Sequence, residues 1–237
     1  FAPTRPPGTV FLDISLNIQR AEIEPDSLRS FFASEEYRER VELRPNEPEL
    51  SAVMRMIGEA KRPMVLAGGG IRSAGASAEL KDFIDATGFP VVASLMGLDA
   101  IEQDHPSFIG MIGSYGNRYS NLALANCDLL IVLGSRLDTR QTGTRPETFA
   151  RAAKKVHVDV DPIELNYKVK VDLAVQCDVK VFLRAINERL RSSASRHDFS
   201  SWYERIQSYK TKYPTRSKVD LPAADLEPNR LMEILSQ

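Results

Sequence analysis

Short apolar runs alternate with amphipathic stretches along most of the chain. Residues 10–14 form the first run, after the Pro6-Pro7-Gly8 turn, and read as a buried strand. Residues 16–47 are charged and broken by Pro25 and Pro45, which predicts a surface connector with one helical turn around 28–33. From Pro48 the pattern becomes regular. Leu50, Val53, Met54 and Ile57 recur at helical spacing, with the proline in the first turn. A continuous apolar run at 63–67 reads as a strand that ends in Gly68-Gly69-Gly70. The next helix is expected over 76–87, with Leu80, Phe83 and Ile84 on one face and Gly88 to stop it.

The alternation continues in the second half. Strands are expected at 90–93, 128–133, 156–160 and 173–176, while 108–112 is short and ambiguous. Helices are expected at 119–125, 149–153, 179–190 and about 198–212, the last followed by a proline-bearing linker. Strands that are short, wholly apolar and separated by helices argue for a parallel sheet buried on both faces. The predicted fold is therefore α/β: a doubly wound, Rossmann-like sheet of about six strands with helices on both faces.

In such sheets ligands lie outside the carboxyl ends of the strands, so the residues there are the candidates. Gly68, Gly69 and Gly70 let a backbone approach a bulky ligand, or make a plain turn. Ser94, Leu95 and Met96 follow the next strand, and Gly113, Ser114 and Tyr115 follow the short one. Arg136, Asp138 and Arg140 alternate between Gly134 and Gly143. In an extended loop all three would face one side, where two guanidiniums could grip a diphosphate around an orienting carboxylate. The other reading is a solvated charge run; the flanking glycines favour the first. Asp159 suits a ribose hydroxyl or a helix cap, and Asp161 is the better cap.

Composition narrows the function. The 237 residues carry a net charge of −1, which gives no electrostatic footprint for nucleic acid or an anionic membrane. No apolar run is long enough to span a bilayer. Cys127 and Cys177 lack metal-ligand spacing and are expected free in a core, as in cytoplasm. His105, His157 and His197 are scattered, so no catalytic constellation or metal site is expected. The chain opens at Phe1 without a signal peptide, and 229–237 reads as a helix cut short; a fragment of a longer protein is expected.

The segments LAGGG, ASLMGLDAIEQDHPSFIGMIGSYGN, DLLIVLGSRLDTRQTG and VHVDVDPIEL, in this order and spacing, resemble the central domain of thiamine-diphosphate-dependent acetolactate synthase large subunits. RPPGTVFLDISLNIQ resembles the end of the pyrimidine-binding domain that precedes it. The resemblance implies a domain tail over 1–15, a linker over 16–47 and the central domain over 48–191. A helix and linker would then occupy 192–226, and a diphosphate-binding domain would begin at 227–237. It implies a transferase acting on 2-oxo acids such as pyruvate, as a homodimer or homotetramer. Thiamine diphosphate and Mg²⁺ would be held by other domains, which supply the ring-activating Glu and a Gly-Asp-Gly…Asn motif. Within this chain it implies FAD, or ADP, extended along the strand ends. Gly68, Gly69 and Gly70 would lie at the adenosine-diphosphate half, and Ser94, Leu95 and Met96 at the flavin, followed by Ile112, Gly113, Ser114 and Tyr115. Gly134, Arg136, Asp138, Arg140 and Gln141 would meet the diphosphate. Asp159 and Val160 would sit at the adenosine end, with Asp178 and Val179 beyond. Acetolactate synthases usually show Met-His-Gly where this chain has Ser114-Tyr115-Gly116.

Overall fold

The computed structural model describes residues 11–35, 43–193, 197–215, 231, 232 and 235. Residues 1–10 of the expected domain tail, 36–42 of the expected linker, 216–226 and most of the expected last segment 227–237 lie outside them.

The regular part begins with a helix whose start is written in its sequence. Helix α2 (Glu47–Glu59) follows α1 (Leu16–Gln19), a single turn in the connector. Asn46 accepts from the Glu49 backbone at 2.8 Å and the Glu49 carboxylate accepts from the Asn46 backbone at 2.8 Å, closing a capping box beside Pro48. The buried stripe is Leu50, Val53, Met56 and Ile57, with Met54 only partly buried.

Six strands follow: β1 (Pro63–Ala67), β2 (Val91–Ala93), β3 (Phe108–Met111), β4 (Leu129–Leu133), β5 (Lys154–Asp159) and β6 (Leu173–Gln176). All pairs are parallel, in the order β3-β2-β1-β4-β5-β6. Every residue of β1 and β4 is buried. Successive side chains point to opposite faces, so both faces are covered. The covering helices form two packed groups. One holds α2, α4 (Ser77–Thr87) and α7 (Val179–Ser192); the other holds α5 (Arg118–Asn126) and α8 (Ser200–Lys212). Gly88 ends α4 in the left-handed conformation, φ 69°, as its position predicted.

Four expectations need correction. Residues 11–14 form no strand: Phe11 is 89% exposed and Leu12 76%, and an apolar run without a strand beside it has no ladder to join. Around 28–33 the chain makes two isolated 3₁₀ turns, Pro25–Ser27 and Phe31–Ala33. Residues 149–153 are not helical, because Ala150 has φ 43°; Phe149, Ala150 and Ala153 plug the core from a turn whose apolar spacing imitates a helix. The Gly68–Gly70 turn runs directly into a short helix, α3 (Gly69–Ser73), before α4. The ambiguous run at 108–112 resolves as β3, whose register against β2 slips at Val91/Val92 and whose Gly110 has φ 143°. A bulge with a glycine hides the period-2 pattern.

Candidate functional site: the carboxyl edge of the sheet

Because the six strands are parallel, their carboxyl ends share one edge, and the loops there bring the expected residues together. The strand order reverses between β1 and β4, where the loops leaving the two strands open a crevice in folds of this kind. Here those loops touch through glycine. The Gly68 N–H donates to the Leu133 carbonyl and the Gly70 N–H to the Gly134 carbonyl, both at 2.9 Å. A Cβ on Gly70 would lie 2.6 Å from the Gly134 Cα, and one on Gly68 would collide with the Gly134 carbonyl. The glycines therefore admit one another's backbone at the floor of the switch point.

The loop after β4 corrects the expected alternation. Gly134 (φ 58°) and Leu137 (φ 51°) turn the chain out of extension, and Asp138 caps a single helical turn, α6 (Thr139–Thr142). Its Oδ1 accepts from the Arg140 N–H at 2.9 Å and the Gln141 N–H at 3.2 Å. The carboxylate thus orders backbone and does not orient guanidiniums. Arg136 and Arg140 are both exposed, and neither forms an ion pair with a carboxylate among the described residues. The loop is tied to its neighbour: the Arg140 carbonyl accepts from the Ser114 N–H at 2.8 Å and its hydroxyl at 3.2 Å.

Asp159, at the end of β5, is 7% exposed and accepts from the Asp161 N–H at 2.9 Å. Burial pushes its carboxyl above the usual range, and Arg136 works against that rise. No helix follows Pro162, so the expected cap has no helix to serve; Asp161 accepts from the Ile163 N–H at 3.0 Å within a turn. Val160 is half-buried beside them. On the other side of the crevice Leu95, Met96 and Tyr115 are 54%, 62% and 77% exposed, an apolar rim. Ser94, Ile112 and Val179 are buried, so their side chains belong to the core. Asp178 caps α7, accepting from the Lys180 and Val181 N–H groups at 2.8 and 3.2 Å.

Sequence reasoning missed two features. His157 is completely buried, and its Nε2 bonds the Ser135 carbonyl at 2.8 Å; burial pushes its basicity down. Gln141 receives the Ser135 hydroxyl at 2.7 Å. The available signal was a histidine amid Val156 and Val158, in phase with Asp159. Cys127 and Cys177 are free and buried, and burial pushes both thiols up to about 12, so neither offers a thiolate.

These features define a doubly wound α/β domain with a cation-bearing carboxyl edge. Residues 50–186 match the family model described as the central domain of thiamine pyrophosphate enzymes, and the chain belongs to that family. It is 34% identical to the maize (Zea mays) chloroplastic acetolactate synthase 1, over 98% of the chain and 36% of that protein. It is 34% identical to the acetolactate synthase large subunit of Corynebacterium glutamicum, over 100% of the chain and 37% of that protein. It is 31% identical to the probable acetolactate synthase large subunit of Methanococcus aeolicus, over 99% of the chain and 40% of that protein. The chain thus spans well under half of these relatives.

Proposed function

We propose that this chain is the central domain of an acetolactate synthase-like transferase that joins two 2-oxo acids such as pyruvate. The domain would align the parts that hold thiamine diphosphate and Mg²⁺, and hold FAD or ADP along its carboxyl edge. The observation that carries the nucleotide reading is the placement of Arg136 and Arg140. Both are exposed, both are without a carboxylate partner among the described residues, and both stand on the loop at the switch point.

The donor set suits the ligand. Two guanidiniums match a diphosphate, Asp159 matches a ribose hydroxyl, and Leu95, Met96 and Tyr115 offer an apolar rest for a flavin ring. In this chain the residues bind and orient; thiamine diphosphate, held elsewhere, supplies the carbanion chemistry. A homodimer or homotetramer in the cytoplasm belongs to the same proposal, although the maize relative is named as chloroplastic. No helix among the described residues is long and apolar enough to cross a membrane.

The mutual packing of Gly68, Gly70 and Gly134 favours a second reading, since it accounts for these glycines without any ligand. On that reading the edge is purely structural. The test of function uses the product of the whole gene with pyruvate, thiamine diphosphate and Mg²⁺. Two pyruvates should give acetolactate and CO₂, and the 237-residue chain alone should give none. Acetaldehyde as the main product would indicate a decarboxylase instead, and turnover by the chain alone would overturn the proposal.

A further inference from the structure

His157 lies in the interior of β5, which pairs with β4 on one side and β6 on the other. Its ring is wholly buried, and Nδ1 has no hydrogen-bond partner among the described residues. An apolar side chain would fill this place without leaving a polar atom unmet. The other nitrogen explains the residue. Gly134 makes the last ladder bond of β4, its N–H donating to the Val158 carbonyl at 2.9 Å, and then turns the chain away with φ 58°. The next residue, Ser135, is 3% exposed, so its carbonyl is left inside the protein beyond the ladder. A buried carbonyl needs a donor, and His157 Nε2–H supplies it at 2.8 Å. Because a carbonyl only accepts, the proton is on Nε2.

From Ser135 the bonds run outward. Its hydroxyl donates to Gln141 at 2.7 Å, the Gln141 and Arg140 N–H groups reach Asp138, and the Arg140 carbonyl receives Ser114. Arg136 is the residue after the one that His157 holds. His157 and Asp159, two apart on one strand, face the same side of the sheet. One strand face thus carries both the donor that bonds the arginine loop and the buried carboxylate of Asp159.

We propose that His157 is a positioning residue: its bond to the Ser135 carbonyl sets the conformation of loop 134–143 and so the placement of Arg136 toward a nucleotide diphosphate. The last clause rests on the nucleotide reading given above; the first does not. Two substitutions separate donor from bulk. His157→Gln keeps an N–H at similar reach, and His157→Leu keeps volume without a donor. Hydrogen–deuterium exchange of the whole chain reads the loop, and titration with ADP reads binding.

In His157→Leu, amides over 135–142 should exchange about tenfold faster while those of β1 and β4 keep their protection, and ADP should bind about tenfold more weakly. His157→Gln should match the wild type in both measurements, to within about threefold. His157→Leu added to Arg136→Ala should weaken ADP binding no further than Arg136→Ala alone. Unchanged loop exchange in His157→Leu overturns the proposal, and so does equal loosening by both variants, which would mean packing alone. A loosened loop with undiminished ADP affinity overturns the placement of Arg136. If the wild type binds no ADP, the nucleotide reading fails and the Arg136 clause with it, while exchange still decides the role of His157 in the loop. Should His157→Leu not fold, His157→Asn, whose amide cannot reach the carbonyl, takes its place.

Discussion

Asp159 is a carboxylate that the fold holds at a cost. It is 7% exposed, and burial raises its affinity for a proton. A group whose folded pKa is raised adds stability below its unfolded value, near 3.8, and loses that contribution as pH rises through the folded value. At neutral pH the ionised group therefore weighs against folding. Asp159→Asn keeps an oxygen to accept the Asp161 N–H and removes the charge. It should stabilise the chain by on the order of 1 kcal/mol at pH 7, or about 2–4 °C in Tm, with the gain shrinking toward pH 4. Thermal melts at several pH values check this, and a destabilised variant at pH 7 would contradict it. A residue kept against stability is expected where a ligand uses it, and Asp159 stands at the end of β5 on the edge proposed to bind one. Its polarity was plain in the sequence, whereas the partner of His157 was not. The bond to Ser135 exists because Gly134 turns the chain out of the β4 ladder and leaves the buried Ser135 carbonyl without a ladder donor, and that turn cannot be read from residue types alone.

Helix α8 lies beyond residues 50–186, where the family model ends, yet it packs as part of the domain. Trp202 is 2% exposed and Ile206 is fully buried, and Trp202 Nε1–H donates to the Pro63 carbonyl at the start of β1 at 3.0 Å. Phe199 meets Phe89 edge-on with ring centroids 5.4 Å apart. The stretch 192–226, polar on average, reads as helix and linker in sequence, because a few aromatic anchors carry little weight in composition. Trp202→Ala should cost about 3–5 kcal/mol, lowering Tm by roughly 10 °C. Trp202→Phe should cost less, about 1–3 kcal/mol, since it keeps most of the burial and strands one carbonyl. Chemical denaturation checks both; a near-neutral Trp202→Ala would mean that α8 is not part of the core.

At the scale of the molecule, fold and edge were legible to different degrees. Fully apolar runs such as 63–67 and 129–133, punctuated by glycine, announce a parallel sheet, because only burial on both faces tolerates such runs. The same logic misled over 11–14, the described part of the 10–14 run, which has no strand beside it. Candidate residues could be assigned to the edge, since parallel strands share one carboxyl side. Their geometry could not: the Arg136–Asp138–Arg140 alternation assumes an extended loop, and the positive φ of Leu137 with the Asp138 cap folds it into a turn. The chemistry of the edge nevertheless remains two cations without an ion-paired carboxylate among the described residues, a buried acid and an apolar rim, spread along the carboxyl ends of β2 to β5.

The function proposed for that edge is binding of a nucleotide through its arginines. Equilibrium titration of the 237-residue chain with FAD and with ADP, repeated for Arg136→Ala and Arg140→Ala, tests this most directly. Each charge-assisted contact to a partly desolvated phosphate is worth about 1.5–3 kcal/mol, so each substitution should weaken binding by roughly 10- to 100-fold without lowering Tm. A folded wild type that binds neither ligand, or arginine variants that bind as tightly as the wild type, would contradict it.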